Sequence, residues 1–166
     1  MRTLLVVLVV LASGYKVAQA SNVAWQMDAA SCTPESGAIH NHTYSTSNGA
    51  VNQTGVQSVW FRCPVPATLG TVTYLEIVFK DSTGGTGGST NHIEACLWEV
   101  SRATGNEVGV LQFDSSGVSS SGIKDYIEPQ NPYGLDPINY TYYMSIELYR
   151  NNTSNTETVY SVGLRQ

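Results

Sequence analysis

The sequence predicts an all-β protein: one antiparallel β-sandwich of jelly-roll type with about seven to nine strands. Three observations predict it. Short alternating or β-branched runs recur between Gly, Pro, Asn and Ser turn signals. No 11-residue window beyond the first twenty residues carries a helical period with caps. The chain has 166 residues, 42% of them hydrophobic, enough for one core. A closed barrel is the alternative architecture. No repeat of solenoid length is visible.

The elements follow in order. Residues 1–20 read as a secretory signal peptide: Arg2, an apolar run from Leu4 to Ala12, then the small-x-small site Ala18-Gln19-Ala20. The run is about half the roughly 20 residues needed to span a bilayer. Residues 21–31 form an N-terminal extension in which Val23, Trp25 and Met27 alternate. They make an ordinary first strand, or a strand exchanged with a neighbouring subunit. The sandwich domain is 32–166. Within it, Val56 to Cys63 is a strand stopped by Pro64 and Pro66. Thr71 to Lys80 is the clearest strand. It carries Leu75, Ile77 and Phe79 on one face and Val72, Tyr74 and Val78 on the other, as expected of a central strand. Residues 81–90 are a Gly-rich loop. His92 to Val100 and Glu107 to Phe113 form a hairpin about the turn at Ala103–Asn106. Ile123 to Ile127 is a shorter strand, and Pro129 to Pro137 a proline-rich connection. Tyr140 to Arg150 places Tyr142, Met144, Ile146 and Leu148 on one face. Thr156 to Leu164 returns after an Asn-rich loop with Tyr160, Val162 and Leu164 together.

Composition excludes several functions. Charged residues are 13% of the chain, about half the usual share. Eight Lys+Arg face 13 Asp+Glu for a net charge of −5, with no basic run. Nucleic acid is therefore not an expected partner. Loss of the leader removes Arg2 and Lys16 and makes the charge −7, which disfavours anionic membrane surfaces. No later stretch is apolar enough for membrane insertion. The expected location is extracellular or at the cell surface. Five Asn-x-Ser/Thr sequons, at Asn41, Asn52, Asn139, Asn151 and Asn152, become glycosylation sites only in a eukaryotic host.

Cys32, Cys63 and Cys96 remain after the leader. In an oxidising compartment the preferred pair is Cys32–Cys63, tying the N-terminal region to a strand end. Its closed loop is worth about 3 kcal/mol on the chain-entropy model. Cys96 is then a free thiol beside Ala95, Leu97 and Trp98, a small hydrophobe rather than a nucleophile, because His92 lies on its own strand. No catalytic residues are assigned. There is no nucleophile elbow, His-Glu-x-x-His motif, phosphate loop or dinucleotide fingerprint. Glu76, Glu94, Glu99 and Glu147 are expected on solvated strand faces, or as partners of Lys80, Arg102 and Arg150. No cofactor is expected. The weak metal candidate is His40-x-His42 with His92, and solvent-facing histidines are the preferred explanation.

The aromatics are more informative. Trp60 and Trp98 are expected in the core. Tyr126, Tyr133, Tyr140 and Tyr143 are the candidates for an exposed face that stacks on sugar rings, against the alternative of cross-strand packing.

The segments Ala30-Ser-Cys32-Thr-Pro34, Phe61-Arg-Cys63-Pro-Val65 and Glu94-Ala-Cys96-Leu97 resemble a diffuse group of small Sec-exported bacterial β-proteins of unknown function. The resemblance covers roughly residues 29–100 and implies compartment and fold only. Such proteins often carry a fourth cysteine in the penultimate strand. Here Tyr142 to Leu148 has none, which supports Cys32–Cys63 as the single bridge. The leading functional expectation is a secreted, non-catalytic structural or adhesive protein, a subunit of a surface assembly or filament, with copies of itself or other extracellular proteins as partners. The alternative is a monomeric carbohydrate-binding module with glycans as partners. A glycan-active enzyme ranks third.

Overall fold

The computed structural model describes residues 22–35, 41–45, 47–66, 70–82, 91–118, 120–152, 154 and 157–166. The leader and the centre of the Gly-rich loop therefore lie outside the described residues. Eleven strands occur among them: β1 (Val23–Asp28), β2 (Thr33–Pro34), β3 (His42–Ser45), β4 (Ala50–Gln53), β5 (Gln57–Val65), β6 (Thr71–Asp81), β7 (Asn91–Ser101), β8 (Glu107–Asp114), β9 (Ser120–Gly134), β10 (Tyr140–Arg150) and β11 (Glu157–Arg165). They form two antiparallel sheets and no α-helix, so the protein is a β-sandwich rather than a closed barrel. The six-stranded sheet runs β3-β4-β11-β6-β9, with β1 also on β11. The five-stranded sheet runs β2-β5-β10-β7-β8.

The core lies between the sheets and follows the alternation. Phe61, Phe79, Phe113, Leu75, Ile77, Ile93, Leu97, Met144, Ile146, Leu148 and Leu164 are fully buried. Cys32 and Cys63 are disulfide-bonded with Cα atoms 4.5 Å apart, and both face this core. Cys96 is a free, half-buried thiol.

Three features differ from the expectation, and a fourth agrees with one of its alternatives. First, β2, β3 and β4 are short strands in a Ser/Thr/Asn-rich stretch whose alternation is too weak to mark them. Second, β9 runs through Pro129 and Pro132. It pairs only with β6, at the sheet edge, where a missing N–H breaks no inner ladder bond. Third, register shifts interrupt two ladders. Val72 is buried beside a register shift at Val72/Tyr74 whose extra residues lie on β9, and a one-residue bulge between Val159 and Ser161 takes Tyr160 off the core face. Fourth, β1 is not detached. It pairs with β11 of the same chain, setting Met27 opposite Val162 and Trp25 opposite Leu164. Val23 is exposed at its start, and Trp25 and Met27 pack against the core. An ordinary first strand is what the structure contains.

Candidate functional site

The outward face of the five-stranded sheet is built by parity. On β5, Val59, Phe61, Cys63 and Val65 point inward, so Ser58, Trp60, Arg62 and Pro64 point out. On β7, Ile93, Ala95 and Leu97 are buried, so His92, Glu94, Cys96 and Trp98 point out. On β10 the outward residues are Tyr143, Ser145, Glu147 and Tyr149. Register then aligns them in rows. Pro64, Tyr143, Trp98 and Gly109 form one row across the strands. Arg62, Ser145, Cys96 and Gln112 form the next, and Trp60, Glu147, Glu94 and Asp114 the third.

Trp98 and Tyr143 are near-parallel, 12° between planes and 6.3 Å between centroids. The Trp98 Nε1–H donates to Ser145 Oγ at 2.8 Å, anchoring the indole toward β10. The far edge of the ring lies toward Gly109. A Cβ there would be in ordinary contact with Trp98 Cζ3 at 3.7 Å but only 2.9 Å from Cys96 Sγ, so a larger residue would displace the thiol. The Arg62 guanidinium lies 4.2 Å from the Tyr143 ring centroid. It donates to Glu35 Oε1 at 2.6 Å and approaches Glu107 Oε1 at 3.5 Å. Tyr143 Oη–H donates to Glu107 Oε2 at 2.9 Å. Burial, then this hydrogen bond, push the Tyr143 phenol up to about 12, so it is a neutral donor at physiological pH. Burial, with Glu94 adding to it, pushes the Cys96 thiol up to about 11, which leaves it protonated and unreactive.

Two depressions flank the ring pair. One, about 670 Å³, is lined by Thr33, Pro34, Glu35, Arg62, Pro64, Tyr142 and Tyr143. The other, about 390 Å³, lies over Cys96 and Trp98 and includes Trp60, Glu94, Gln112 and Gln130. Polar groups thus border half-buried aromatic rings on an open sheet face.

The structure corrects most of the expected site. Of the four tyrosines, only Tyr143 lies on this face. Tyr126, Tyr133 and Tyr140 pack against the core; Tyr126 tilts onto Phe113 at 5.4 Å, and Tyr133 bonds Glu99. Trp60 and Trp98, expected inside, are half-buried on the outer surface. His42 and His92 lie on different sheets. His42 stacks edge-on against Tyr44 and Phe61, at 4.8 and 5.0 Å, and belongs to the other sheet. His40 lies outside the described residues. Glu76 pairs with Arg165, not with any of the expected bases. Glu94 and Glu147 stand opposite each other on adjacent strands of one sheet face.

No family model and no curated protein matches the chain. Among solved structures it is similar to a carbohydrate-binding module, CBM36, in complex with calcium and xylotriose. The identity is 10%, over 84% of this chain and 98% of that one, with a TM-score of 0.49. It is also similar to the xylan-binding module CBM15 (16%, 87% and 96%, TM-score 0.49). A third is the CBM36-1 domain of a multidomain xylanase from the hindgut metagenome of Trinervitermes trinervoides (13%, 84% and 94%, TM-score 0.42). These are distant similarities of sandwich architecture, and the ligands named belong to those modules.

Proposed function

We propose that the outward face of the five-stranded sheet binds a glycan, without catalysis, in the extracellular space. The observation that supports this is the near-parallel Trp98–Tyr143 pair, open on a sheet face and bordered by hydrogen-bonding side chains. Sugar rings offer apolar C–H faces to such rings and hydroxyls to groups such as Glu35, Arg62, Glu107 and Gln112. The carboxylates Glu35, Glu94, Glu107 and Asp114 outnumber Arg62 here, so the proposed ligand is a neutral rather than an anionic polysaccharide. A structural or adhesive role, the leading expectation from sequence, has less behind it, and strand exchange through β1 has no support in its pairing with β11 of the same chain.

The test is affinity electrophoresis of the secreted protein in neutral and acidic polysaccharides, followed by calorimetry on whichever retards it. Trp98→Ala and Tyr143→Ala are each expected to weaken binding about tenfold, or about 1.4 kcal/mol. Tyr126→Ala is expected to leave affinity unchanged, because that ring belongs to β9 of the other sheet. Absence of retardation, or binding indifferent to Trp98, refutes the proposal.

A further inference from the structure

Beside the aromatic pair, the same sheet face gathers metal-binding chemistry that glycan recognition does not use. Register sets Glu147 directly opposite Glu94, and Glu94 directly opposite Asp114, so three carboxylates cross β10, β7 and β8 in one row. Like charges directly opposite on neighbouring strands repel. The row contains no lysine or arginine; Trp60 completes it from β5. The one nitrogen base at the row is His92, whose Nε2 is 3.6 Å from Glu94 Oε1. That is too long for a hydrogen bond. It is close to the separation of about 3.3 Å between two donors on one tetrahedral zinc ion.

From the geometry we infer that His92, Glu94 and Glu147 bind one divalent first-row transition-metal ion of the zinc class. One donor atom from each residue lies within 4.8 Å of the others, so small side-chain rotations bring all three into a single coordination sphere. The donors sit on adjacent strands of a sheet, which holds them more rigidly than loops would. Glu147 is only 8% exposed, so its carboxylate is held at the base of the cluster. Ser58 Oγ–H donates to its Oε1, and the His92 ring stacks on Tyr149 at 5.1 Å. Such outer partners orient metal ligands. An imidazole with two carboxylates suits zinc, nickel or copper, whereas calcium and magnesium take oxygen donors. Three protein ligands leave a fourth position for water or an external group. That position adjoins the depression bordered by Trp60 and Glu94.

The experiment is a zinc titration of the full secreted chain after EDTA treatment, read by calorimetry and by thermal unfolding. The inference predicts one equivalent bound with a dissociation constant of about 10 μM or lower, and a raised Tm. His92→Ala and Glu94→Gln are each expected to weaken binding at least tenfold. Glu147→Gln, which keeps the side-chain shape, is expected to do the same with the fold intact by circular dichroism. The double variant His40→Ala/His42→Ala is expected to bind zinc as the unsubstituted chain does. No saturable binding overturns the inference. So does binding that survives His92→Ala, or that is lost only with His40 and His42. None of these readouts depends on a glycan, so the inference stands or falls apart from the proposed function.

Discussion

Glu157 is the most conspicuous single residue inside the sandwich. It is fully buried, faces the equally buried Asp81 across the β11–β6 ladder, and neither of its oxygens accepts a hydrogen bond from another residue. Ser115 Oγ–H serves Asp81 instead, at 2.6 Å. Burial first, and the Asp81 charge second, push the Glu157 carboxyl up from 4.5 to about 7, with Arg150 opposing them. The folded chain therefore holds a proton that the unfolded chain has released. Its stabilising effect is complete below the unfolded value and is lost as pH rises through about 7, at up to about 1.4 kcal/mol per pH unit. Urea denaturation at about pH 5 and pH 8 checks this. Glu157→Gln should gain on the unsubstituted chain at the higher pH, and a constant difference between the two proteins refutes the assignment. The outward Trp60 and Trp98 carry a lesson of the same kind. Trp60 shares parity with Arg62, and Trp98 with Glu94, so strict alternation places both outside. The general tendency of tryptophan to be buried pointed the other way.

Among the elements, β10 matches its sequence pattern most closely. Tyr142, Met144, Ile146 and Leu148 all face the core, because β10 is flanked by β5 and β7 and has no bulge in either ladder. β11 departs at its bulge, which inserts one residue against β6 and exchanges faces beyond it, and β6 departs beside a register shift whose two extra residues lie on β9. Alternation alone has no term for such an insertion. β9 was legible only in its middle, because proline is a strand-breaker everywhere except on an edge, and edge position is a property of the sheet. The Cys32–Cys63 link holds β2 against β5, a two-residue strand with little ladder of its own. Replacing both cysteines with alanine is expected to cost about 3 kcal/mol by urea denaturation. A loss under about 1 kcal/mol would mean that the packing of β2 holds without the link.

Across the whole molecule, most sheet neighbours are far apart in sequence, the hairpins β3–β4 and β7–β8 excepted. β10 pairs with β5, β11 pairs with β1, and consecutive strands such as β5 and β6 belong to different sheets. Closing such loops before their contacts form is entropically slow. Refolding of the oxidised chain is expected to take milliseconds to seconds in stopped-flow fluorescence; a microsecond phase carrying the full amplitude would contradict this. Alternation, turn residues and cysteine spacing were enough for the all-β class, most strand positions, the inward face of β10, and the preferred cysteine pair. These follow from local rules: a period of two sorts side chains to two faces, and proline or glycine ends the run. Which outward residue stands beside which was decided only by the tertiary structure. Trp98 meets Tyr143, and Glu94 meets Glu147, because burial of Ile93, Leu97, Met144 and Ile146 against the opposite sheet sets the register of β7 on β10. That burial is collective, and no local stretch of chain encodes it.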